Sequence, residues 1–414
     1  MSVRFSAFAS GLSAETAFDV LAVAKKLKAA GKDVVELQIG DSPFATTRHA
    51  IDAGIRAIQE GATHYCPSLG LPEFRETVAE NYRKEFGIEV TAENIVIGPG
   101  AKVFEQFFCE AFLDPGDAVL VFSPHFPTYG PNIERRGARA VFSPLRQENQ
   151  FRPDLNDVER FVKQTPKAKA IFLNTPHNPT GGVATAEDIK NIANLVGGKN
   201  IAVFSDEPYC HMVWQGQHHP ILAEPGMLDH CLAAYTFSKS YSMSGWRVGY
   251  AVGAPRVIDA IGKMINTSLS CVPPIAQLAG QAALQFDAQE RDEVMQRFHK
   301  KVQLLVEALR RVPDVKVLMP AGTFYVFPDV SAICQRLGIQ SHGLAMYLLE
   351  GADDRFGVAC LGGECFGEAG QGFLRFSCAE PDDRLRRAVE FLAEAVTRTA
   401  RVERFLEANP KFRA

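Results

Sequence analysis

Apolar residues along the chain fall into two patterns. One recurs every three or four positions, at Ile51, Ile55 and Ile58 and again at Val294, Phe298, Val302, Leu305 and Leu309. This spacing predicts helices, the second a long one over Glu290–Arg311. The other pattern is a series of short runs without polar alternation: Asn94–Gly98, Ala118–Phe122, Ala170–Asn174, Ile201–Ser205 and Cys231–Phe237. Runs of this length, rich in Val, Ile and Phe, read as strands buried on both faces. Strands alternating with helical stretches predict an α/β fold with a largely parallel sheet.

The residues at the end of each run change the picture. After the first run comes Gly98-Pro-Gly100-Ala-Lys102, after the second Ser123-Pro-His-Phe126, and after the third "TPHNPTGG" with Asn178. Asp206-Glu-Pro-Tyr209 succeeds the fourth run and Ser238-Lys239 the fifth. Open α/β sheets bind ligands beyond the carboxyl ends of their strands, so these five ends are expected to converge on one site that contains Lys239. A long, well-hydrated lysine directly after a buried strand either points to solvent or is meant to be partly desolvated.

Composition narrows the function classes. With 46% hydrophobic and 22% charged residues among 414, the chain is ordinary globular material, long enough for two or three domains. A net charge of −4 gives no electrostatic footprint for nucleic acid. The N-terminus has no signal-peptide core, and no apolar stretch reaches membrane-spanning length, so no membrane partner is expected. Nine cysteines, an odd number without CxxC pairs, suit reduced thiols in a cytoplasm; Cys360 and Cys365 read as packing. His211, His218 and His219 lack metal-ligand spacing and read as solvated or loop residues. Arg310, Arg311, Arg384, Arg386 and Arg387 read as exposed helix faces.

The candidate chemistry comes from residue types. Free N–H groups where "GPGAK" enters a helix would bind an anion, most simply phosphate, although a lone GxG is equally a plain strand–turn–helix joint. A dinucleotide fingerprint is excluded: the third glycine is missing, and Asp114 and Asp117 lie in a turn before the next strand. Arg247 offers a guanidinium fork to phosphate. Asp206 at a strand end should be a desolvated carboxylate, costly unless paired. A lysine able to form a Schiff base, an acid for a ring nitrogen and a phosphate cradle together describe pyridoxal 5′-phosphate.

"SKSYSMSGWRVGY" (238–250) resembles the Ser-Lys-x-x-x-Met-x-Gly-Trp-Arg-x-Gly-Tyr motif of class I/II aminotransferases, fold type I pyridoxal-phosphate enzymes, in the subgroup of bacterial aspartate aminotransferases. "HYCPSLGLPEFRE", "NTPHNPTGG", "SDEPY", "GTFYVFPD" and "FLRFSCA" occur in the family's order, so the likeness runs from about Ala14 to Ala395. The resemblance implies that Lys239 carries the cofactor as a Schiff base and that Asp206 pairs with the pyridine nitrogen. It gives Tyr209 and Asn178 to the ring 3-oxygen. Thr236, Arg247, Gly100 and Ala101, with Lys102 beside them, surround the phosphate. Phe126 holds the ring-stacking position, and Tyr65 reaches the phosphate of the neighbouring subunit. Arg375 clamps the substrate α-carboxylate, helped by Asn178 and the backbone near Gly40. Lys239 then removes the Cα proton and redelivers it, as base and then acid.

The expected architecture is a large cofactor domain over residues 46–287 and a smaller α/β domain made of 1–45 and 288–414, in a homodimer whose interface holds the site. The expected function is amino transfer between an L-amino acid and a 2-oxo acid. The alternative is a carbon–sulfur β-lyase of the same fold and lysine, separated only by the fate of the Cα carbanion. A regulator using the fold as a sensor is disfavoured, because about 45 residues before the large domain leave no room for a DNA-binding domain. Two departures bear on the substrate. Asp41-Ser-Pro-Phe44 replaces the family's Glu-Pro-Asp-Phe, and Gly362–Gly367 carries Glu364. Glu364 would repel an acidic side chain if it faced the pocket, whereas Lys102 would attract one. The stretch Asn266–Pro274, which helps line the partner's site in relatives, has no arginine.

Overall fold

A sheet of seven strands organises the middle of the chain, in the order Ile95–Gly98, Gly249–Gly253, Cys231–Thr236, Ala202–Asp206, Ala168–Asn174, Ala118–Ser123 and Arg139–Pro144. The computed structural model describes residues 3–12 and 15–414; Met1, Ser2, Ser13 and Ala14, the last being the start of the resemblance, lie outside the described residues. The five apolar runs are strands β2 (Ile95–Gly98), β3 (Ala118–Ser123), β5 (Ala168–Asn174), β6 (Ala202–Asp206) and β7 (Cys231–Thr236). Two further strands join them, β4 (Arg139–Pro144) at one edge and β8 (Gly249–Gly253) between β2 and β7. β8 is antiparallel to both neighbours, while β7, β6, β5, β3 and β4 run parallel. Every residue of β2, β3, β6 and β8 is buried, as expected of strands covered by apolar side chains on both faces.

Two smaller sheets lie outside it. β1 (Asp33–Glu36) pairs in parallel with β10 (Phe356–Ala359), and β9 (Tyr325–Val326), β11 (Leu361–Gly362) and β12 (Leu374–Ser377) form an antiparallel trio. Their core is separate from those of the large sheet and centres on Val35, Phe298, Leu305, Phe324, Tyr347 and Leu392. The long helix runs Ala288–Leu309 and buries Val294, Phe298, Val302, Leu305 and Leu309, the expected stripe. Asp287 just before it accepts from the backbone N–H groups of His49 (3.3 Å) and Ala50 (3.1 Å). It thereby satisfies orphan donors at the start of helix Arg48–Gln59.

That earlier helix departs from its sequence pattern. It packs through Ala50, Gly54 and Ala57, while Ile55 and Ile58 are 50% and 58% exposed. Small residues win the inner face because neighbours crowd it: a Cβ on Gly54 would lie 2.5 Å from the Trp246 ring. Among the described residues, no helix is long and apolar enough to cross a membrane.

Candidate active site

All five strand ends open on one cavity of about 470 Å³. Ala101 and Lys102 enter it after β2, Phe126 after β3, Asn178 after β5, Asp206 and Tyr209 after β6, Thr236 and Lys239 after β7. Gly40, Arg247 and Arg375 complete the wall from elsewhere in the chain. Gly100 adjoins it through Arg247, whereas Tyr65, 90% exposed, lies outside the cavity of its own chain.

The floor is a set of buried polar groups fixed by sheet register. Asn174 and Asp206 end adjacent strands side by side. The Asn174 amide donates to the Asp206 carbonyl (2.8 Å), and its oxygen accepts the Asn178 N–H (2.9 Å). Asp206 is 5% exposed and accepts a hydrogen bond from the Tyr129 hydroxyl (2.5 Å). Burial pushes the Asp206 carboxyl up to about 7, against the pull of the Tyr129 hydrogen bond. Glu105, one turn into the helix that Lys102 begins, is a second buried carboxyl on this wall. It accepts from Thr128 (2.5 Å) and Asn132 (3.4 Å); burial and the nearby Asp206 hold it well above the usual carboxylate range.

At one end lies an anion cradle. Gly100 has φ +88°, and a Cβ there would also meet the Arg247 guanidinium at 2.7 Å, so only glycine fits. Arg247 donates to the Pro99 carbonyl (2.6 Å) and the Ser244 carbonyl (3.0 Å). Thr236 and Ser238 hydroxyls are 2.9 Å apart beside it. The helix starting at Lys102 adds backbone N–H groups that have no intrahelical partner.

The roof comes from the small sheets and the N-terminal segment. Lys239 is half-buried, and its Nζ donates to the Gly40 carbonyl (2.5 Å). A side chain at Gly40 would collide with the Tyr325 hydroxyl, which itself lies 3.1 Å from the Tyr209 hydroxyl. Arg375, 4% exposed, donates to Asn178 Oδ1 (3.0 Å) and the Gln38 carbonyl (2.6 Å). Its guanidinium sits between the rings of Tyr325 (4.4 Å) and Phe366 (4.8 Å), and its Nε has no partner among the described residues. Lys102 lies 5.0 Å over the Phe126 ring and pairs with Glu15.

The sequence left open whether Glu364 faces the pocket, and it read His211 and His218 as solvated or loop residues; both histidines do lie in loops. Glu364 does not face the cavity; both its oxygens are buried without hydrogen-bond partners among the described residues, because the tight turn Gly363–Phe366 gives the cavity wall to Cys365 and Phe366 instead. His211 and His218 are not solvated. His211 meets Glu85 (2.7 Å) and Ser240 (2.9 Å), and His218 meets the fully buried Glu207 (2.6 Å). Those carboxylates are brought up by folding and leave no mark in the local pattern. The cavity also contains residues the pattern did not single out: Glu15, Glu105 and Asn174, with Tyr129 behind Asp206.

The sequence profile of the family Aminotransferase class I and II matches residues 32–392. The chain belongs to this family. It is a pyridoxal-phosphate-dependent aminotransferase of fold type I; its relatives favour amino transfer over β-elimination. This aminotransferase is 36% identical to the probable aspartate/prephenate aminotransferase of Aquifex aeolicus, over 94% of this chain and 97% of that one. It is 34% identical to the aspartate aminotransferase of Pyrococcus horikoshii, over 88% and 91%. The solved Thermus thermophilus aspartate aminotransferase with maleate superimposes with a TM-score of 0.87 at 32% identity, covering 95% of this chain and all of that one.

Proposed function

We propose that Lys239 is the residue that anchors pyridoxal phosphate and moves the proton at Cα, in amino transfer between an L-α-amino acid and a 2-oxo acid. The observation that carries this reading is one cavity holding a half-buried lysine, a fully enclosed acid and an arginine with a free Nε. The group fits. The Gly100–Arg247 cradle with Thr236 and Ser238 suits a phosphate, and Phe126 and Asp206, which line the same cavity, would hold the ring and pair with its nitrogen. Asn178 and Tyr209 take the ring oxygen.

When bound, pyridoxal phosphate supplies an electron-withdrawing ring that stabilises negative charge at the substrate Cα. Arg375 holds the α-carboxylate, oriented by Asn178 Oδ1 and the Gln38 carbonyl. Lys239 Nζ leaves its Gly40 acceptor, takes the Cα proton and later gives it back, as base and then acid. Asp206, its carboxyl held by Tyr129 and its backbone carbonyl by Asn174, keeps a buried carboxyl oriented in the cavity.

The division into a large domain over 46–287 and a small domain of 1–45 with 288–414 agrees with separate apolar cores for the large and small sheets. Tyr65, Ile55 and Ile58 are large side chains left exposed, which supports a homodimer in which Tyr65 reaches the partner's phosphate site. Nine free cysteines suit a cytoplasmic, reducing setting. The test is the absorbance of the purified holoenzyme while single amino acids are added without an acceptor. Loss of the yellow band with formation of a 2-oxo acid supports the reading; a persistent band with pyruvate and ammonia released would overturn it.

A further inference from the structure

Four cations line the cavity among the described residues: Lys102, Lys239, Arg247 and Arg375. In the proposed aminotransferase site, three have tasks toward cofactor, Cα proton and α-carboxylate. Lys102 alone remains to attract a second carboxylate on a substrate side chain. It is already paired: its Nζ meets Glu15, whose side chain is 19% exposed against 47% for Lys102. Glu15 belongs to the N-terminal segment, which also gives Thr16, Ala17 and Phe18 to the wall. Ile39, Leu361 and Phe366, all apolar, line the same cavity. Glu364, the other acid near this loop, faces away and has no part in it.

We infer that Glu15 is a specificity-determining residue: by occupying Lys102 it directs the site to amino acids with uncharged side chains and against dicarboxylic ones. A side-chain carboxylate reaching Lys102 would have to displace Glu15 and then sit beside it, and like charges so placed repel. An apolar or aromatic side chain meets no such repulsion and packs on Phe18, Ile39 and Phe366. Discrimination here comes from a repulsive group rather than from a missing attractive one. The inference rests on the cavity being the amino-acid site.

The test compares wild type, Glu15→Gln, Lys102→Gln and the double variant as holoenzymes. Two readouts are taken: kcat/KM for L-aspartate against L-phenylalanine, and the affinity for two non-reacting acids, succinate and 3-phenylpropionate, by calorimetry. Wild type should favour phenylalanine and 3-phenylpropionate. Glu15→Gln should raise the aspartate-to-phenylalanine ratio and the succinate-to-phenylpropionate affinity ratio about tenfold. The double variant should lose that gain, because Lys102 is its source. Wild-type preference for aspartate, or ratios that Glu15→Gln leaves in place, would overturn the role of Glu15 while leaving the amino-acid site intact. If neither amino acid discharges the yellow band and neither acid binds, the reading of the cavity itself fails.

Discussion

The floor and the roof of the cavity are built in opposite ways. The floor is a consequence of sheet register: Asn174 and Asp206 are paired residues of adjacent strands, and Tyr129 succeeds β3 by a short connection. The roof is held by side chains that cross between distant parts of the chain and end on carbonyl oxygens, Arg375 on Gln38 and Lys239 on Gly40. Floor groups are enclosed and have no alternative partners; roof groups hold placeholders that a substrate can replace. A rigid floor suits a resident cofactor, and an exchangeable roof suits substrates that come and go.

The largest effect expected on either side is that of Lys239→Ala, about 10⁴-fold in turnover, the upper end for loss of a general acid–base group. Thermal unfolding should change little, since Lys239 gives up one hydrogen bond to Gly40; wild-type turnover would end its assignment. Arg375→Ala should cost about 2–5 kcal/mol of amino-acid binding, the scale for truncating one partner of a buried charge pair. Simple amines lack the α-carboxylate and should be spared, so an equal loss for both would move Arg375 from clamp to scaffold. Tyr129→Phe belongs to the floor and should weaken pyridoxal phosphate binding by about 1–3 kcal/mol, because Asp206 loses a buried donor. Cofactor titration checks this, with substrate KM in saturating cofactor expected to change less than cofactor affinity.

The smallest effect concerns the seam between floor and roof, where the His125 backbone N–H donates to the Phe366 carbonyl (2.7 Å). Burial lowers the His125 pKa to about 4, so the unfolded chain binds a proton near pH 6.5 that the folded chain refuses until about pH 4. Stability from this group is therefore complete above pH 6.5 and falls as pH drops, by about 1.4 kcal/mol per pH unit at most. Asp206, raised to about 7, contributes the opposite slope in the same window. The measurement is accordingly a difference: urea stability from pH 6.5 to 4.5 should fall less steeply in His125→Asn than in wild type. Parallel slopes would mean that the His125 ring is not held neutral by burial.

Much of the floor was legible because burial writes itself into sequence. Runs such as "AVLVF" have no polar alternation, and polar residues at their ends must face something. β4 and β8 were not legible. β4 is an edge strand of mixed exposure, and β8 is a Gly-rich segment that the lysine motif runs into. The roof was legible only where a motif marks it, as at Arg375. Glu15 and Lys102 are 87 positions apart and nothing local in "SAETAF" announces the pair. The same holds for His211 and Glu85. The isoleucine stripe shows the opposite error: a helical period is real, but the buried face went to Ala50, Gly54 and Ala57 because only small residues fit under Trp246.

The contact between Arg375 and the Gln38 carbonyl joins residues 337 positions apart, and β1 waits for β10 across nearly the same span. A ribosome adding about 5–20 residues each second needs roughly 15–70 s to travel that distance. During that interval β1 has no partner strand, while the seven-stranded sheet is completed behind it. The nascent protein thus passes through a stage with a finished floor and an unpaired β1, and that strand is the segment for chaperones to guard and proteases to find.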